Sequence, residues 1–484
     1  MPPDLCLPPV TDPVSVTSCK TFDHFGARIA TGGDWNGDGI EDLAVAGANH
    51  PSVSAFHGEV WLFLGTSSAP ALRFTSSSAG SQFGQAVRFV KDLNGHDRDE
   101  LLIAAPEWST SGPTPTPYGR VYLLPGQADG SYTPGAERLA EVWAGAVFQG
   151  DVVGGHFGEA IAAGRIDAGS SRDLLIGAPG TEISDATPPP WAPNGYAGEV
   201  SLFSGDGAWV VGMAQVGQQG WSPPVLTPTG SAALILPGDQ FLEPGDTLQN
   251  RFGSSLAVLG DVVPGAGGLE FAVGAPQVQV TVQGDVTWTG LGRVHVFSST
   301  ATEQVRLLGQ QAGEGYGAVL DASVSFDGDS LPDLCVGANR YDHEPVPGTL
   351  EREAGRVWVL SGTSLMPIGT FFDLLTNNTK LIGAPNSYFG GAVRGVANMV
   401  GDSLSPPDIL VGARDEFSST FIPPGCTIAQ GGRLAGAAYS VDGSDGSMPY
   451  KLIGERSKDH VGFDVAARDH DGDGKMDLVT AGLA

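Results

Sequence analysis

One pattern of apolar and polar positions repeats along the chain. In its clearest copy, residues 85–89 alternate and predict a half-buried strand, and an acidic stretch from 92 to 100 follows. Residues 101–106 are then continuously apolar, as expected of a strand buried on both faces. Residues 119–124 begin with Gly-Arg-Val and read as a third strand. This pattern predicts an all-β chain, because no helical periodicity competes with it.

The third strand recurs with a Gly-x-Val start at Gly58, Gly198, Gly292 and Gly355. A fourth candidate strand precedes the next repeat in three copies, at 306–309, 380–383 and 451–454. Each repeat therefore predicts four antiparallel strands. Four such strands form one blade of a β-propeller.

Seven Phe-Gly-like pairs mark the starts of the repeats, 58 to 95 residues apart. The pairs are Phe25-Gly26, Phe83-Gly84, Phe157-Gly158, Phe252-Gly253, Tyr316-Gly317, Phe389-Gly390 and the degenerate Val461-Gly462. A unit of this length cannot bury its own faces and must stack on its neighbours. We therefore predict that 1–484 is a single domain, a seven-bladed β-propeller of four-stranded antiparallel blades. Blades are numbered below from these starts, near 25, 83, 157, 252, 316, 389 and 461.

The last repeat stops after two strands, at 479–482. Residues 14–17, within the N-terminal segment 1–24, occupy the place of a fourth strand before the first repeat. Since propellers avoid open strand edges, we predict that segment 1–24 completes the last blade and closes the ring. A C-terminal truncation is the alternative. The longest interval, between Phe157 and Phe252, predicts an elaborated outer hairpin of blade three around 206–250.

Composition supports short strands joined by turns, with 71 Gly, 35 Pro and 8% aromatic residues. The net charge of −29 disfavours nucleic acid as a partner, because an acidic surface repels phosphates. No apolar run is long enough to span a membrane. No secretory leader precedes the repeats, and Met1-Pro2-Pro3 suggests a start placed on a mature or truncated protein. Cys6 and Cys19 are close enough to form a disulfide, whereas Cys335 lies in an apolar run and is predicted to be a buried thiol.

These features resemble the FG-GAP repeats of integrin α-subunit propellers and their bacterial relatives. The resemblance rests on the Phe-Gly pairs, the acidic loops, the Gly-Ala-Pro strand ends (177–179 and 274–276) and the Gly-x-Val strands. It covers essentially 14–484. The family implies an extracellular or cell-surface protein, and ligand binding on the face formed by the loops between second and third strands. A propeller fold alone does not define function.

Two acidic loops fit D-x-[DN]-x-D-G-x-x-D, at 34–42 in blade one and 469–477 in blade seven. Oxygens at positions 1, 3, 5, 7 and 9 of a tight loop can surround one Ca²⁺, which prefers oxygen ligands. By resemblance these loops are the calcium hairpins of integrin-like blades. The alternative is a set of Asx turns that holds the hairpin without metal. The candidate ligands are Asp34, Asn36, Asp38, Ile40, Asp42, Asp469, Asp471, Asp473, Lys475 and Asp477.

Two further loops keep part of the ligand set, so two to four calcium sites are expected. Blade five offers Ser325, Asp327, Asp329, Leu331 and Asp333. Blade two offers Asp92, Asn94 and Glu100, with His96 as a poor calcium ligand. Blades three, four and six have lost most ligands and are predicted to be metal-free. Calcium bound only to the folded hairpins would stabilise the fold.

Motifs for catalysis are absent from the sequence: it has no G-x-S-x-G, H-E-x-x-H, P-loop or C-x-x-C. His24, His156 and His460 each precede a Phe-Gly position and could form a metal site near the channel mouth. Ordinary loop residues are the alternative reading. We expect a protein without catalytic activity.

Loops that follow the Gly-Ala strands vary in length and carry aromatic residues, which are favoured anchors in binding sites. They lie opposite the acidic loops, since the two connections leave a strand pair at different ends. The candidate ligand-binding residues are Trp108, Trp191, Trp288, Tyr341 and Phe417. We expect a calcium-stabilised binding or adhesion module for an extracellular protein or glycan. A sugar-binding lectin of the integrin-like type is the alternative, and a hydrolase or lyase on a propeller scaffold is a third possibility.

Overall fold

A computed structural model describes residues 25–482 with internal gaps. The gaps are 48–50, 53–54, 57, 66, 68, 94, 112–115, 129–134, 168, 170, 183–196, 208–221, 239–249, 263–268, 277–278, 283–285, 290, 330, 346–347, 374–377, 397–398, 400–405, 417–434, 455–458 and 470–474. Segment 1–24, with the predicted strand 14–17, Cys6, Cys19 and His24, lies outside the described residues. Closure of the ring by this segment therefore stays a prediction.

Short strands make up nearly all of the regular structure, as the sequence predicts. Blade one contains β1 (Phe25–Gly33), β2 (Asp42–Gly47), β3 (Pro51–Ser52), β4 (Ala55–Phe56), β5 (Glu59–Phe63) and β6 (Leu72–Thr75). Blade two contains β7 (Val87–Val90), β8 (Glu100–Ala105), β9 (Arg120–Leu124), β10 (Ala136–Leu139), α1 (Ala140–Trp143) and β11 (Ala146–Gln149). Blade three contains β12 (Ala160–Gly164), β13 (Asp173–Ala178), β14 (Glu199–Phe203), β15 (Val225–Leu226), α2 (Pro228–Ser231) and β16 (Leu234–Pro237).

The second half of the chain repeats the arrangement. Blade four contains β17 (Ser255–Gly260), β18 (Glu270–Ala275), β19 (Gln279–Val282), β20 (Val286–Thr289), β21 (Arg293–Ser298) and β22 (Glu303–Leu308). Blade five contains β23 (Val319–Asp321), β24 (Leu334–Ala338), β25 (Arg356–Leu360), β26 (Phe372–Asp373) and β27 (Asn378–Thr379). Blade six contains β28 (Phe389–Val396), β29 (Asp408–Ala413), β30 (Ala437–Val441) and β31 (Tyr450–Ile453), and the last unit contains β32 (Asp464–Arg468) and β33 (Asp477–Ala481).

Four-stranded antiparallel blades are confirmed, with sheet orders such as β12-β13-β14-β16 and β28-β29-β30-β31. The predicted count of seven is wrong: the described residues form six blades, and the seventh unit is the two-stranded hairpin β32–β33. This hairpin contacts both β28 of blade six and β1 of blade one. The sequence prediction rests on the number of Phe-Gly pairs. Because a pair can dock with only two strands behind it, the number of pairs does not equal the number of four-stranded blades.

Blade five departs from the predicted four strands. Its sheet has three, β23-β24-β25, and the predicted fourth strand at 380–383 is reduced to an isolated bridge between Arg356 and Ile382. Pro367 makes a second isolated bridge, to Leu360. Backbone hydrogen bonds along this edge come from two separate segments and not from one continuous strand: Val357 N donates to the Leu381 carbonyl, and Ile368 N donates to the Val359 carbonyl.

Two strands cross from one blade to the outer edge of the preceding one. β10 runs parallel to β6 of blade one, and β15 runs parallel to β11 of blade two. The described part of 206–250 thus pairs with blade two through β15, and only β16 adds to blade three. The described residues therefore do not form the expected outer hairpin of blade three, because β15 pairs with β11 of blade two.

The Phe-Gly pairs form the joints between blades. All seven glycines of these pairs have positive φ, between 81° and 99°, which side chains other than glycine rarely adopt. The Gly-x-Val glycine of one blade meets the next Phe-Gly pair: a Cβ on Gly198 would lie 2.0 Å from the carbonyl oxygen of Phe252. Phe252 itself is fully buried. Close backbone approach therefore explains why both positions need glycine.

Apolar side chains are buried between successive units. Leu102 and Val121 of blade two pack with Leu174 and Ile176 of blade three. A small cluster that includes Ile29 and Ala466 joins β1 to the last hairpin. Stacking against neighbours, and not a core inside each sheet, thus stabilises the repeat. In the part of the chain that the structure describes, no helix is long and apolar enough to cross a membrane.

Candidate metal loops and binding face

The acidic loops connect the first and second strands of each blade. In blade one, loop 34–42 joins β1 to β2 and begins with Asp34, whose carboxylate accepts hydrogen bonds from three backbone N–H groups. The donors are Gly37 at 2.7 Å, Asp38 at 3.1 Å and Gly39 at 2.7 Å. Gly37 and Gly39 have φ of 78° and 84°, so the tight turn depends on them.

Positions 3 and 5 of this loop converge. Asn36 Nδ2 donates to Asp38 Oδ2 at 2.8 Å, and the Ile40 N–H donates to Asp38 Oδ1 at 2.8 Å. Asp38 is exposed, whereas Asn36 is only 5% exposed. The Asn36 amide and the Asp38 carboxylate therefore lie side by side in the loop, and the role of positions 1, 3 and 5 as cation ligands stays a prediction.

Position 9 has a different setting. Asp42 is fully buried, and its two carboxylate oxygens accept hydrogen bonds from Trp35 N at 2.7 Å and Gly65 N at 2.8 Å. Burial raises the pKa of Asp42 to about 7, while these two hydrogen bonds lower it. Asp42 thus ties the acid loop to the turn after the third strand. We call an acid with this position and these contacts a clamp carboxylate.

Clamp carboxylates occur in all six blades, including those without other calcium ligands. Each accepts a hydrogen bond from a backbone N–H group at the start of its acid loop, and the aspartates also bind the glycine after the third strand. They are Asp42, Glu100, Asp173, Glu270, Asp333 and Asp408. Their second partners, where present, are Gly65, Gly205, Gly362 and Gly443. The sequence analysis predicted position 9 only as a calcium ligand. An acidic residue recurs at this position in every loop, including the loops that have lost the other ligands, and this recurrence could have indicated the structural role.

Blade five forms the tightest carboxylate cluster among the described residues. One oxygen each of Asp327, Asp329 and Asp333 lies within 4.8 Å of the others, so this group could hold a metal ion. The Ser325 hydroxyl lies 3.5 Å from both Asp327 Oδ1 and Asp329 Oδ1. Burial raises the pKa of Asp333, whereas the hydrogen bond from Thr363 lowers the pKa of Asp329. The serine that weakens the motif therefore still belongs to the cluster.

Blade two keeps the loop backbone but not the full ligand set. Asp97 stands where blade one has Gly39 and adopts the same left-handed backbone, at φ 56°. Asp92 accepts a hydrogen bond from the His96 N–H at 2.8 Å, and Asn94 lies outside the described residues. Burial raises the pKa of Glu100 to about 8. The loop is therefore built from the same turn with fewer ligands.

Asp99 joins the loops of blades one and two. Its carboxylate accepts hydrogen bonds from Asp34 N at 2.8 Å and Asp92 N at 3.1 Å, and its own N–H donates to the Asp34 carbonyl at 2.9 Å. Asp99 is only 6% exposed. Position 1 of both loops is thus held by one side chain, which the sequence analysis missed.

The blade-seven loop is only partly described, because Asp471 and Asp473 fall within the gap at 470–474. Asp477, at position 9, is exposed. Arg468, just before the loop, donates to the Gly65 carbonyl of blade one. This contact places the last hairpin beside the blade-one clamp. Asp469 and Lys475 complete the described candidates, and their role as ligands stays a prediction.

The donor set at blade one suits a hard cation. Carboxylates at positions 1 and 5, an amide at position 3 and a backbone carbonyl at Ile40 are the oxygen ligands that Ca²⁺ takes in proteins. No thiol or imidazole lies in the loop, which disfavours softer transition metals. The hydrogen bonds between loop and side chains also show that the Asx turns of the alternative reading exist. The two readings are compatible, because the turns shape the loop that a cation would occupy.

On the opposite connections, two of the five candidate binding aromatics have described side chains. Trp108 is 9% exposed, with the Arg120 guanidinium 3.3 Å from its ring centroid. Tyr341 is half-buried and lies 3.9 Å from the Arg356 guanidinium. Both rings therefore pack over arginines of the third strand, so these two residues have a structural contact within their own blades. Trp191 and Phe417 lie outside the described residues, and of Trp288 only its backbone in β20 is described.

Small hairpins extend the connections between second and third strands, which sequence reasoning missed. Blade one has β3–β4 and blade four has β19–β20. Bridges Ser109–Pro117 and His343–Glu351 mark similar turns in blades two and five. Hairpin backbones give these loops fixed positions, which suits a surface for recognition.

The histidines before Phe-Gly are paired with acids of the preceding blade. His156 Nδ1 lies 2.8 Å from Glu107 Oε1, and His460 Nδ1 lies 2.8 Å from Asp415 Oδ1. The hydrogen bond to Glu107 raises the pKa of His156. Both histidines have left-handed backbones, with φ of 54° and 46°. These contacts lie between blades and favour the reading of these histidines as loop residues.

Comparison with known proteins points to one group. Mouse integrin alpha-IIb is 29% identical over 271 residues, which cover 55% of this chain and 21% of that protein. Integrin alpha-5 of Xenopus laevis is 30% identical over 159 residues, 32% of this chain and 14% of the relative. Integrin alpha pat-2 of Caenorhabditis elegans is 29% identical over 176 residues, 33% of this chain and 13% of the relative. The chain thus spans about a fifth or less of the length of these relatives.

Two other comparisons add nothing to this result. No protein-family description matches the chain. A crystal structure of BBS1N in complex with ARL6DN aligns with 98% of the chain and 91% of its own, at 8% identity and a TM-score of 0.41. A likeness at that level carries no argument.

The blades, the Phe-Gly joints and the acid loops define a β-propeller of the FG-GAP type. Within that class, the chain is an integrin α-like propeller, and the resemblance read from the sequence is confirmed.

Proposed function

We propose that this chain is a non-catalytic, calcium-stabilised propeller that binds an extracellular protein or glycan. The observation that carries the proposal is the blade-one loop, where hydrogen bonds link Asp34, Asn36 and Asp38 with one another and with the Ile40 backbone. An oxygen-only set in a glycine turn fits calcium better than any catalytic role.

Calcium is proposed at the complete motifs of blades one and seven. Blade five is the third candidate, because its three carboxylates lie within 4.8 Å of one another. The blade-two loop is the fourth and weakest candidate. It keeps an exposed Asp92 at position 1, but it has His96 at position 5. Bound calcium would offset the repulsion between close carboxylates and so stabilise the folded hairpins. Its role is structural, and no reaction step follows from it.

Partner binding is proposed on the opposite connections. The hairpins β3–β4 and β19–β20 and the turn at 343–351 give that side of the propeller shaped loops. Leu350 is 51% exposed there, and Glu344 and Arg352 flank it as exposed charges. Such a mixture of apolar and charged groups suits a protein partner. The similarity of the chain to integrin α subunits is the basis for proposing an extracellular or cell-surface location.

A chelation experiment tests the calcium part. We expect EDTA to lower the melting temperature, excess calcium to restore it, and elemental analysis to find at least two calcium ions per chain. Magnesium at equal ionic strength serves as the control, because Mg²⁺ requires near-ideal octahedral coordination and Ca²⁺ accepts the irregular oxygen sites of loops. An unchanged melt together with no bound calcium would contradict the proposal.

A separate experiment tests the partner part. The purified chain, with and without calcium, would be applied to a glycan array and to immobilised extracellular-matrix proteins. Calcium-dependent binding to a protein or a glycan supports the proposed module, and binding to glycans alone narrows it to the lectin alternative. Binding to neither would contradict the partner part. Turnover of a polysaccharide panel would overturn the non-catalytic assignment.

A further inference from the structure

Arg468 is a buried arginine of the last hairpin that reaches a turn of blade one. Its side chain follows the end of β32 and is only 2% exposed. Its Nη2 donates a hydrogen bond to the carbonyl of Gly65, which lies in the turn after β5 and is buried as well. Arginines are rarely buried to this degree unless the buried group has a specific partner. Gly65 is such a partner, and it belongs to another unit.

The turn at Gly65 also supports the acid loop of blade one, at two of its positions. The Gly65 N–H donates to Asp42 Oδ1 at 2.8 Å, so the turn holds the clamp carboxylate at position 9. The Ile40 side chain lies over Gly65, since a Cβ built on this glycine would be 3.6 Å from Ile40 Cγ2. Ile40 offers the candidate carbonyl ligand at position 7. A fixed Gly65 therefore helps to fix positions 7 and 9 of loop 34–42.

On its other side, Arg468 belongs to the acid loop of the last unit. It directly precedes Asp469 at position 1, and it lies opposite Asp477, position 9, in the β32–β33 ladder. No other unit has an arginine before position 1: the equivalent residues are Gly33, Lys91, Gly164, Asp261, Val324 and Met399. The last unit therefore differs from the others at the residue that reaches Gly65.

Other contacts also hold the last hairpin against blade one. Asp464 Oδ2 accepts a hydrogen bond from Ile29 N at 2.8 Å, and the Arg28 guanidinium lies 5.3 Å from the ring centroid of Phe463. These contacts involve β1 and not loop 34–42. The bond from Arg468 is thus the one of these three contacts that reaches the support of the acid loop.

We propose, on the basis of the calcium site proposed for blade one, that Arg468 is a positioning residue for that site. It fixes the Gly65 turn, and this turn fixes Ile40 and Asp42 in the loop. A charged donor makes a stronger hydrogen bond to a carbonyl than a neutral donor does, and burial protects the bond from water. Because linkage is reciprocal, calcium in the blade-one loop also strengthens the contact of the last hairpin with blade one.

Terbium titration of the full chain tests this role. Tb³⁺ accepts the oxygen ligands that Ca²⁺ takes, and it emits when a nearby tryptophan transfers energy to it. Trp35 is position 2 of the blade-one loop, so the emission that Trp35→Phe removes reports on this loop. We expect Arg468→Gln to weaken terbium binding there by about threefold to tenfold, because Arg468 acts through Gly65 and not on the ion.

Two further variants separate this role from a general weakening of the contact between the units. Arg468→Lys keeps a charged donor for the Gly65 carbonyl, so we expect part of the affinity to return. Arg28→Gln removes the contact with Phe463 and should leave terbium affinity unchanged. Equal affinity of Arg468→Gln and the unaltered chain would overturn the role of Arg468 alone. Absence of terbium emission from the unaltered chain would overturn the blade-one calcium site as well.

Hydrogen exchange covers the case in which Arg468→Gln does not fold. Asp471→Ala removes a candidate ligand of the blade-seven loop, so calcium must then act on the last hairpin from elsewhere. We expect calcium to slow exchange of the β32 amides in Asp471→Ala, but not in the double variant that also carries Asp38→Ala. Equal exchange with and without calcium in Asp471→Ala, or a calcium effect that survives in the double variant, would overturn the proposal.

Discussion

The acid loops of blades one and three fold alike with different side chains. Both are held by a buried clamp carboxylate, Asp42 in blade one and Asp173 in blade three. Blade one adds Asp34, Asn36 and Asp38, whereas blade three has Arg165 at position 1 and Gly169 at position 5.

In blade three, hydrogen bonds replace the clustered oxygens. Asp167 accepts hydrogen bonds from Gly169 N at 2.6 Å and Ser204 Oγ at 2.7 Å. Its carboxylate is therefore satisfied by hydrogen bonds within the protein. The comparison teaches that the clamp shapes the hairpin, and that cation ligands are an addition to a loop that already folds.

The largest effect is expected from removing a clamp in the loop without cation ligands. Asp173→Ala leaves the buried N–H groups of Ile166 and Gly205 without their acceptor, at about 1–3 kcal/mol each. We expect the free energy of unfolding to fall by about 3 kcal/mol or more, equally with calcium and with EDTA. Chemical denaturation in both buffers measures it.

Glu182→Ala, an exposed acid nearby, is the control and should change stability little. A calcium-dependent loss in Asp173→Ala, or no loss at all, would mean that clamp and cation site are not distinct.

The second-largest effect is expected on the pH dependence of stability, with calcium and without it. Burial holds the pKa of Asp42 at about 7, above its unfolded value of 3.8, so the folded chain binds this proton more tightly. Its contribution to stability is therefore complete below about pH 4 and is lost as the pH rises through 7. The like charges of Asp38 and Asp34 also raise the pKa of Asp42, and bound calcium would offset these charges, so the stabilising effect of calcium should grow over the same interval.

Burial raises the pKa of Asp173 as well, so the EDTA-treated chain shares the loss from both loops. Melting temperatures from pH 5 to 8, with calcium and with EDTA, give the two curves. Curves that stay parallel would show that calcium does not act on the buried carboxylate loop.

A smaller effect is expected at the link between blades one and two. Asp99→Ala frees the Asp34 N–H that Asp99 Oδ2 holds at 2.8 Å, so position 1 of the blade-one loop becomes less fixed. We expect calcium affinity to weaken by about threefold to tenfold, in line with one lost hydrogen bond. Calorimetric titration measures it. The exposed neighbour Asp97 gives the control Asp97→Ala, and equal effects of the two variants would remove the assigned link.

The repeat, the strand order within blades and the acid loops follow from the sequence because periodic apolar runs and glycine turns are local signals. The buried thiol of Cys335 is confirmed for the same reason. Blade count and crossing strands are not local: β10 and β15 pair with edges far along the chain. The clamp role of position 9 could not be predicted, because an aspartate at this position can either bind a cation or accept hydrogen bonds from buried N–H groups.

The left-handed backbone before six of the Phe-Gly-like pairs was hidden as well, because the residues at this position share no side-chain chemistry: Gln82, His156, Arg251, Gly315, Tyr388 and His460.

The most direct test of the account is a calcium titration of two matched variants, Asp38→Ala in blade one and Asp167→Ala in blade three. Each removes one acidic side chain from an acid loop and leaves the clamp in place. Calorimetry should show that Asp38→Ala loses one calcium site, while Asp167→Ala keeps the full number and affinity. Equal calcium binding by both variants, or loss in Asp167→Ala alone, would contradict the assignment of calcium to the blade-one loop.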